Sequence, residues 1–179
     1  MRLIIGGVGG TGKSTLAWKV STYLSIPHLS VGGALRKIAT QERTSLAEIE
    51  QRALLNPEFD LRVDGTVREF LFHHPDCVVD GWFAWYSARE VANTIKLKLT
   101  CNENARLIRL ANREGREISE IRLETAEREK ALETRFVDRY HITDWNHDRH
   151  YDRVIDTSYM NPDAVFTDTI RLYHAHSID

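Results

Sequence analysis

Residues Gly7-Val8-Gly9-Gly10-Thr11-Gly12-Lys13-Ser14 decide the fold, because they match G-x-x-x-x-G-K-[ST] in the setting that gives the pattern its meaning. Before them, Arg2 to Gly6 is a short apolar run ending in glycine. After them, Ser14 to Leu24 carries Leu16, Val20 and Leu24 at helical spacing. Strand, glycine loop and helix in that order make a phosphate cradle. Glycines let successive backbone N–H groups curl around an anion, and the helix N-terminus adds its dipole. The lysine reaches the terminal phosphates and the serine hydroxyl suits magnesium. ATP is therefore expected on Gly7, Gly9, Gly10, Thr11, Gly12, Lys13, Ser14 and Thr15, with Mg2+ on Ser14.

The same stretch satisfies G-x-G-x-x-G through Gly7, Gly9 and Gly12. A dinucleotide site would need an acid about 20 residues further on for the ribose. Here the second predicted strand, Pro27 to Ser30, ends on serine, and a dinucleotide fold has no use for Lys-Ser after the last glycine. A glycine turn without a ligand would set Lys13 at a helix start, where the dipole disfavours a cation.

Downstream, strand and helix patterns alternate. From Val31 to Phe72 the apolar positions recur at helical period with a break at Asn56-Pro57, which predicts a helical insertion. Cys77 to Asp80 and Thr94 to Leu99 read as strands, with a short helix expected from Tyr86 to Asn93. Two charged helical patterns follow from Asn102 to Tyr140, separated by Arg113-Glu114-Gly115-Arg116, the second opened by Ser119 and Glu120. A last strand lies at Asp152 to Asp156, and Asn161-Pro162-Asp163 starts a final helix, Ala164 to Tyr173. Strands separated by helices imply an α/β fold with a parallel sheet.

Asp80 closes the third strand on the edge where the glycine loop lies, and ligands of open α/β sheets collect at that edge. A carboxylate there suits a magnesium-bound water, although Asp-Gly also suits a turn. Phosphoryl transfer spreads negative charge, so catalysis is largely clamping by cations. Arg106, Arg109, Arg113 and Arg116 recur at spacings of three and four, and Arg128 and Arg135 lie seven apart on the next helix. Glu117, Glu120, Glu124, Glu127 and Glu133 offer these arginines an alternative as a solvated, ion-paired surface. The phosphate loop favours a mobile lid bearing Arg113, Arg128 and Arg135.

Composition bounds the rest. The 179 residues suit one domain, and 42% hydrophobic with 28% charged residues is a globular balance. The 24 Lys and Arg nearly match the 26 Asp and Glu, for a net charge of −2, so no global field draws the chain to a nucleic-acid polymer or a membrane. No apolar run approaches the roughly 20 residues that span a bilayer, and MRLIIGG leaves no room for a cleavable leader, so the cytoplasm is the expected compartment. Cys77 and Cys101 lie in apolar runs as buried free thiols. His73, His74, His141, His147 and His150 are too irregularly spaced for a metal site.

The chain as a whole resembles the archaeal-type cytidylate kinases of the nucleoside monophosphate kinase superfamily. The likeness runs from the glycine loop through His28-Leu29-Ser30-Val31-Gly32, Leu35-Arg36, Asn56-Pro57-Glu58 with Asp60 and Asp64, and Val78-Val79-Asp80-Gly81. It continues at Arg113-Glu114-Gly115-Arg116, Glu127-Arg128-Glu129, Arg135-Phe136 and Ile155-Asp156-Thr157-Ser158. It implies a P-loop fold with a five-stranded parallel sheet. The core would be 1–30, 73–104 and 150–179, the acceptor-binding insertion about 31–72 and the lid about 105–149. It implies Arg109 beside the donor adenine, with the loop from Asp156-Thr157-Ser158 to Pro162 at its edge, and Lys13, Arg113, Arg128 and Arg135 around the transferring phosphoryl. Ser30, Gly32, Arg36, Asp60, Asp64 and Trp82 would form the acceptor side, Arg36 holding the acceptor phosphate, in a monomer or weak dimer.

Two positions depart from that family's pattern. Trp82 stands where an arginine usually follows acid-Gly, and Leu132 where an acid usually follows four residues after Arg128. Trp82 suits either a stacking platform for a base or core packing with Phe83, Trp85 and Tyr86. The implied reaction is transfer of the ATP γ-phosphoryl to CMP or dCMP. A modified-nucleotide or non-nucleotide acceptor is the alternative, and a nucleotide-dependent switch with slow ATP hydrolysis is a third reading that leaves Arg36 without a purpose.

Overall fold

The computed structural model describes residues 1–176; the last three residues of the expected core segment, 177–179, lie outside the described residues. Five parallel strands form one sheet in the order β2-β3-β1-β4-β5: β1 Arg2–Gly6, β2 His28–Ser30, β3 Cys77–Asp80, β4 Thr94–Thr100 and β5 Arg153–Asp156. Leu3, Ile4 and Ile5 of the central strand are fully buried, as a strand covered on both faces requires. On one face Leu3, Ile5, Leu97 and Leu99 pack with Leu16 and Val20 of α1 (Lys13–Leu24) and Val165 and Tyr173 of α8 (Pro162–His176). On the other, Ile4, Cys77 and Val79 meet Val67 and Leu71 of α4 (Pro57–His73) and Ala84 of α5 (Ala84–Ser87).

Helices α2 (Val31–Glu42), α3 (Leu46–Leu55) and α4 form the insertion between β2 and β3. The break at Asn56-Pro57 is present, with Asn56 Oδ1 accepting from Glu58 N. A second break, not expected, falls at Arg43, whose φ of 55° ends α2. Ser45 and Glu48 then open α3 as a reciprocal capping box. The expected helix Tyr86–Asn93 is instead the single turn of α5 followed by tight turns, Arg89 N bonding to Tyr86 O and Val91 N to Ala88 O. Trp85 anchors that turn by donating from Nε1 to Trp145 O at 3.1 Å, and Asn93 at φ 53° redirects the chain into β4.

Helices α6 (Glu103–Glu114) and α7 (Ile118–Tyr140) carry the charged segment. They are clasped by Arg106, which donates to both oxygens of Glu129 at 2.6 and 3.0 Å. The chain between α7 and β5 reaches β4 on the same sheet face as α4 and α5. There Lys98, 5% exposed, donates to Asp148 at 2.8 Å and to Asn146 O. Alternation in Thr94-Ile95-Lys96-Leu97-Lys98-Leu99 sends Leu97 to the face packed by α1 and α8 and Lys98 to the opposite one. Lys98→Ala should lower stability by about 1–3 kcal/mol, since buried hydrogen bonds to a charged group are lost. Urea unfolding checks the magnitude, and faster amide exchange at 141–151 would confirm where the loss acts.

Candidate active site

The glycine loop closes against the carboxyl ends of β1 and β4. Gly7 has φ 124°, and a Cβ there would collide with the Leu99 carbonyl. Gly10 has φ 81°, and a Cβ there would come within 2.7 Å of the Arg106 carbonyl. Both positions demand glycine on conformation and on space. Lys13 opens α1 with its Nζ donating to the Val8 carbonyl at 2.7 Å, so the lysine spans its own loop. Ser14 Oγ donates to Asp80 Oδ1 at 2.8 Å, and His28 Nε2 lies 2.8 Å from Asp80 Oδ2.

Asp80 is 1% exposed. Burial alone would raise its carboxyl, but hydrogen bonds from His28, Ser14 and Ser30 outweigh burial and hold it below the ordinary carboxylate range. Burial lowers the Lys13 ammonium to about 8; Asp80 opposes the fall, while Arg36, Arg128 and Arg113 add repulsion. Arg36 is lowered by the same causes, burial first and Arg113 next. No carboxylate lies within ion-pairing distance of Arg36 among the described residues. The site thus concentrates positive charge around one fixed carboxylate.

A cavity of about 540 Å³ joins these groups. Gly9 to Leu16 form one end, with Arg36, Asp80, Arg109, Arg113, Arg128 and Arg135 along the walls. Arg109 donates to Thr157 Oγ1 at 3.1 Å and Thr157 O at 2.6 Å, which ties α6 to the loop after β5. Arg113 is half exposed and paired with Glu114. Arg128 donates from Nε and Nη2 to the two oxygens of Glu50 in α3, at 2.9 and 3.1 Å. Arg135 and Arg139 both bind Asp60, which occupies both of its oxygens. Asp60, expected on the acceptor side, lines the cavity with its carboxylate held on these arginines. Of the remaining spaced arginines, Arg106 and Arg116 serve as ion-paired supports.

Residues 4–159 match the model of the cytidylate kinase-like family. The chain belongs to that family. A cytidylate kinase of Halobacterium salinarum is 34% identical over 165 residues, covering 92% of this chain and 85% of that protein. One of Thermoplasma volcanium is 32% identical over 166 residues, covering 92% and 87%. A shikimate kinase of Acinetobacter baumannii shares the fold with a TM-score of 0.66, covering 99% of this chain and 95% of that one at 12% identity. This member of the cytidylate kinase-like family is an ATP-dependent kinase with the P-loop fold.

Both departures from the family's pattern meet at one place. Trp82 stacks parallel on Trp145, centroids 6.2 Å apart, and the pair packs with Val8, Phe83, Leu132 and Phe136. A Cβ on Gly9 would lie 3.7 Å from Trp82 Cζ2, so the indole edge covers the tip of the glycine loop. Phe83 stacks on Phe136 at 3.9 Å and on Tyr86 at 4.7 Å. Sequence spacing gave no sign of Glu50 or Arg139, because their partners lie 78 and 79 residues away.

Free Lys13 loses its proton as pH rises through about 8. The kcat/KM for ATP should therefore fall above that pH. The kcat plateau should extend further, because bound phosphates hold the ammonium charged. Paired pH profiles check this; a kcat/KM flat to pH 10 would sink it.

Proposed function

We propose that the protein transfers the γ-phosphoryl group of ATP to a pyrimidine nucleoside monophosphate, CMP or dCMP first, releasing the diphosphate and ADP. One observation carries the reading: a single cavity runs from the glycine loop to Arg36, a cation without an ion-paired carboxylate among the described residues. A donor site alone needs no second anion-binding group. Both named relatives are cytidylate kinases, which points the acceptor to CMP.

The donor phosphates lie along the loop N–H groups and the α1 N-terminus, and Lys13 exchanges the Val8 carbonyl for phosphate oxygens, which are the stronger acceptors. The Ser14 hydroxyl and Asp80 carboxylate are hard oxygen donors facing each other, which suits magnesium, an ion that keeps water and phosphate oxygens as its other ligands. Ser14 would hold it directly and Asp80 through water, and the ion would neutralise charge on the phosphates. The adenine lies by Arg109 and the loop after β5. Arg113, Arg128 and Arg135 offset charge on the moving phosphoryl.

On the acceptor side, Arg36 holds the phosphate beside Ser30 and Gly32, while Asp64 and the edge of Trp82 border the rest of the molecule. Asp64 accepts from Ser87 and pairs with Arg68 at 3.3 Å, so it is a fixed polar point in an otherwise aromatic wall. Insertion and lid, about 31–72 and 105–149, close over both substrates.

A coupled ADP-release screen over nucleoside monophosphates tests the reading. CMP or dCMP should accelerate release most, and release indifferent to every acceptor would overturn it. Arg36→Ala should raise the acceptor KM about 10- to 100-fold, the worth of a charge-assisted hydrogen bond, and leave the ATP KM unchanged.

A further inference from the structure

Two carboxylates of the insertion hold two arginines of α7 in the same manner. Arg128 meets Glu50 through Nε and Nη2, and Arg135 meets Asp60 through Nε and Nη2. The arginines lie seven residues apart, two helical turns, so both face the cavity from one side of α7. In each, the side edge of the guanidinium is taken and the end edge is left. Nη1 of Arg135 is buried without a hydrogen-bond partner, and Nη1 of Arg128 has none among the described residues.

That asymmetry is informative. A guanidinium carries five N–H groups, and side-on pairing leaves Nη1 and the second N–H of Nη2 free to grip another anion bidentately. A pair serving only as structure gains nothing from a buried, unsatisfied nitrogen, and apolar residues of similar volume hold helices together as well. Glu50 is 3% exposed and sits in α3 between Ile49 and Ala53, both buried, so its carboxylate has little freedom to move. It therefore fixes the plane of the Arg128 guanidinium.

We propose that Glu50 is a positioning residue for phosphoryl transfer: its carboxylate orients Arg128 so that the free end edge of the guanidinium faces the transferring phosphoryl group. The proposal rests on the kinase reading of the site and adds a coupling to it. Because Glu50 belongs to the insertion and Arg128 to the lid helix, seating the insertion and aiming the arginine become one event. The Asp60–Arg135 pair repeats the device one step along the cavity.

The test compares wild type, Glu50→Gln, Arg128→Ala and the double variant. The affinity for ADP with aluminium fluoride, a mimic of the transferring phosphoryl, is titrated with and without CMP beside the affinity for ADP alone. Glu50→Gln should weaken the fluoride complex and lower kcat about 10-fold each, while ADP affinity and substrate KM values stay within about twofold. In the Arg128→Ala background the same change should add no more than about a twofold loss, since its effect passes through Arg128. If Glu50→Gln does not fold by circular dichroism, Glu50→Asp, which keeps the charge and withdraws it by one methylene, takes its place with the same expectations. Wild-type affinity and kcat in the variant, or losses that multiply in the double variant, would overturn the proposal. A raised kcat would overturn it too, by showing that Glu50 withholds Arg128 instead of aiming it. A wild-type protein that binds the fluoride complex but phosphorylates no nucleoside monophosphate would refute the proposed acceptor and leave this comparison intact.

Discussion

The Asp80 carboxylate is the group on which the remainder of the site depends. It ends the strand beside β1, is almost wholly buried, and is fastened from two sides, by Ser14 at the start of α1 and by His28 from β2. A buried carboxylate is costly unless its oxygens are satisfied. The bonds that satisfy it also tie β3 to β2 and to the start of α1. It is the only carboxylate among the leading electrostatic influences on Lys13, whose others are Arg36, Arg128 and Arg113. Without it the cations would face one another across a dry loop, and burial would drive the lysine further toward its neutral form.

The same charge problem shapes the insertion. Arg128 adds to the repulsion around Lys13, and it and Arg135 are each met by a carboxylate of the insertion. Burial would lower the Arg128 guanidinium, yet the hydrogen bonds and charge of Glu50 more than compensate, and the group stays raised. Arg36 has no such partner among the described residues and stays lowered, although Asp80 and Glu114 offset part of the burial. The difference is one of pairing: Arg128 and Arg135 are each held by a carboxylate of the insertion, whereas Arg36 has no ion-pair partner among the described residues.

Local chemistry was legible in the chain and long-range pairing was not. Strand, glycine loop, lysine and Asp80 follow from patterns a few residues long, because backbone geometry and strand order dictate where they fall. The capping box at Ser45 and Glu48 was equally local, and it marks a helix start that periodicity alone passes over. The single turn of α5 was misread as a longer helix because its limit is set by Trp85 reaching Trp145, 60 residues away. For Arg106, Arg116, Arg128 and Arg135, spacing showed a shared face but not which would find an acid in solvent and which one across a cavity.

Trp82 illustrates how a single exchange alters a site beyond its own contact. An arginine at this point would bring charge; the indole brings area, which packs on Trp145, Leu132 and the tip of the glycine loop. Leu132, 8% exposed against Phe136 and Trp145, completes the same apolar wall, so the two departures act as one feature. Aromatic faces accept any planar base with little discrimination, whereas a buried polar group left unpaired is penalised heavily. The fixed polar atoms beside this wall are those of Asp64 and Ser87, with Arg36 lining the same cavity.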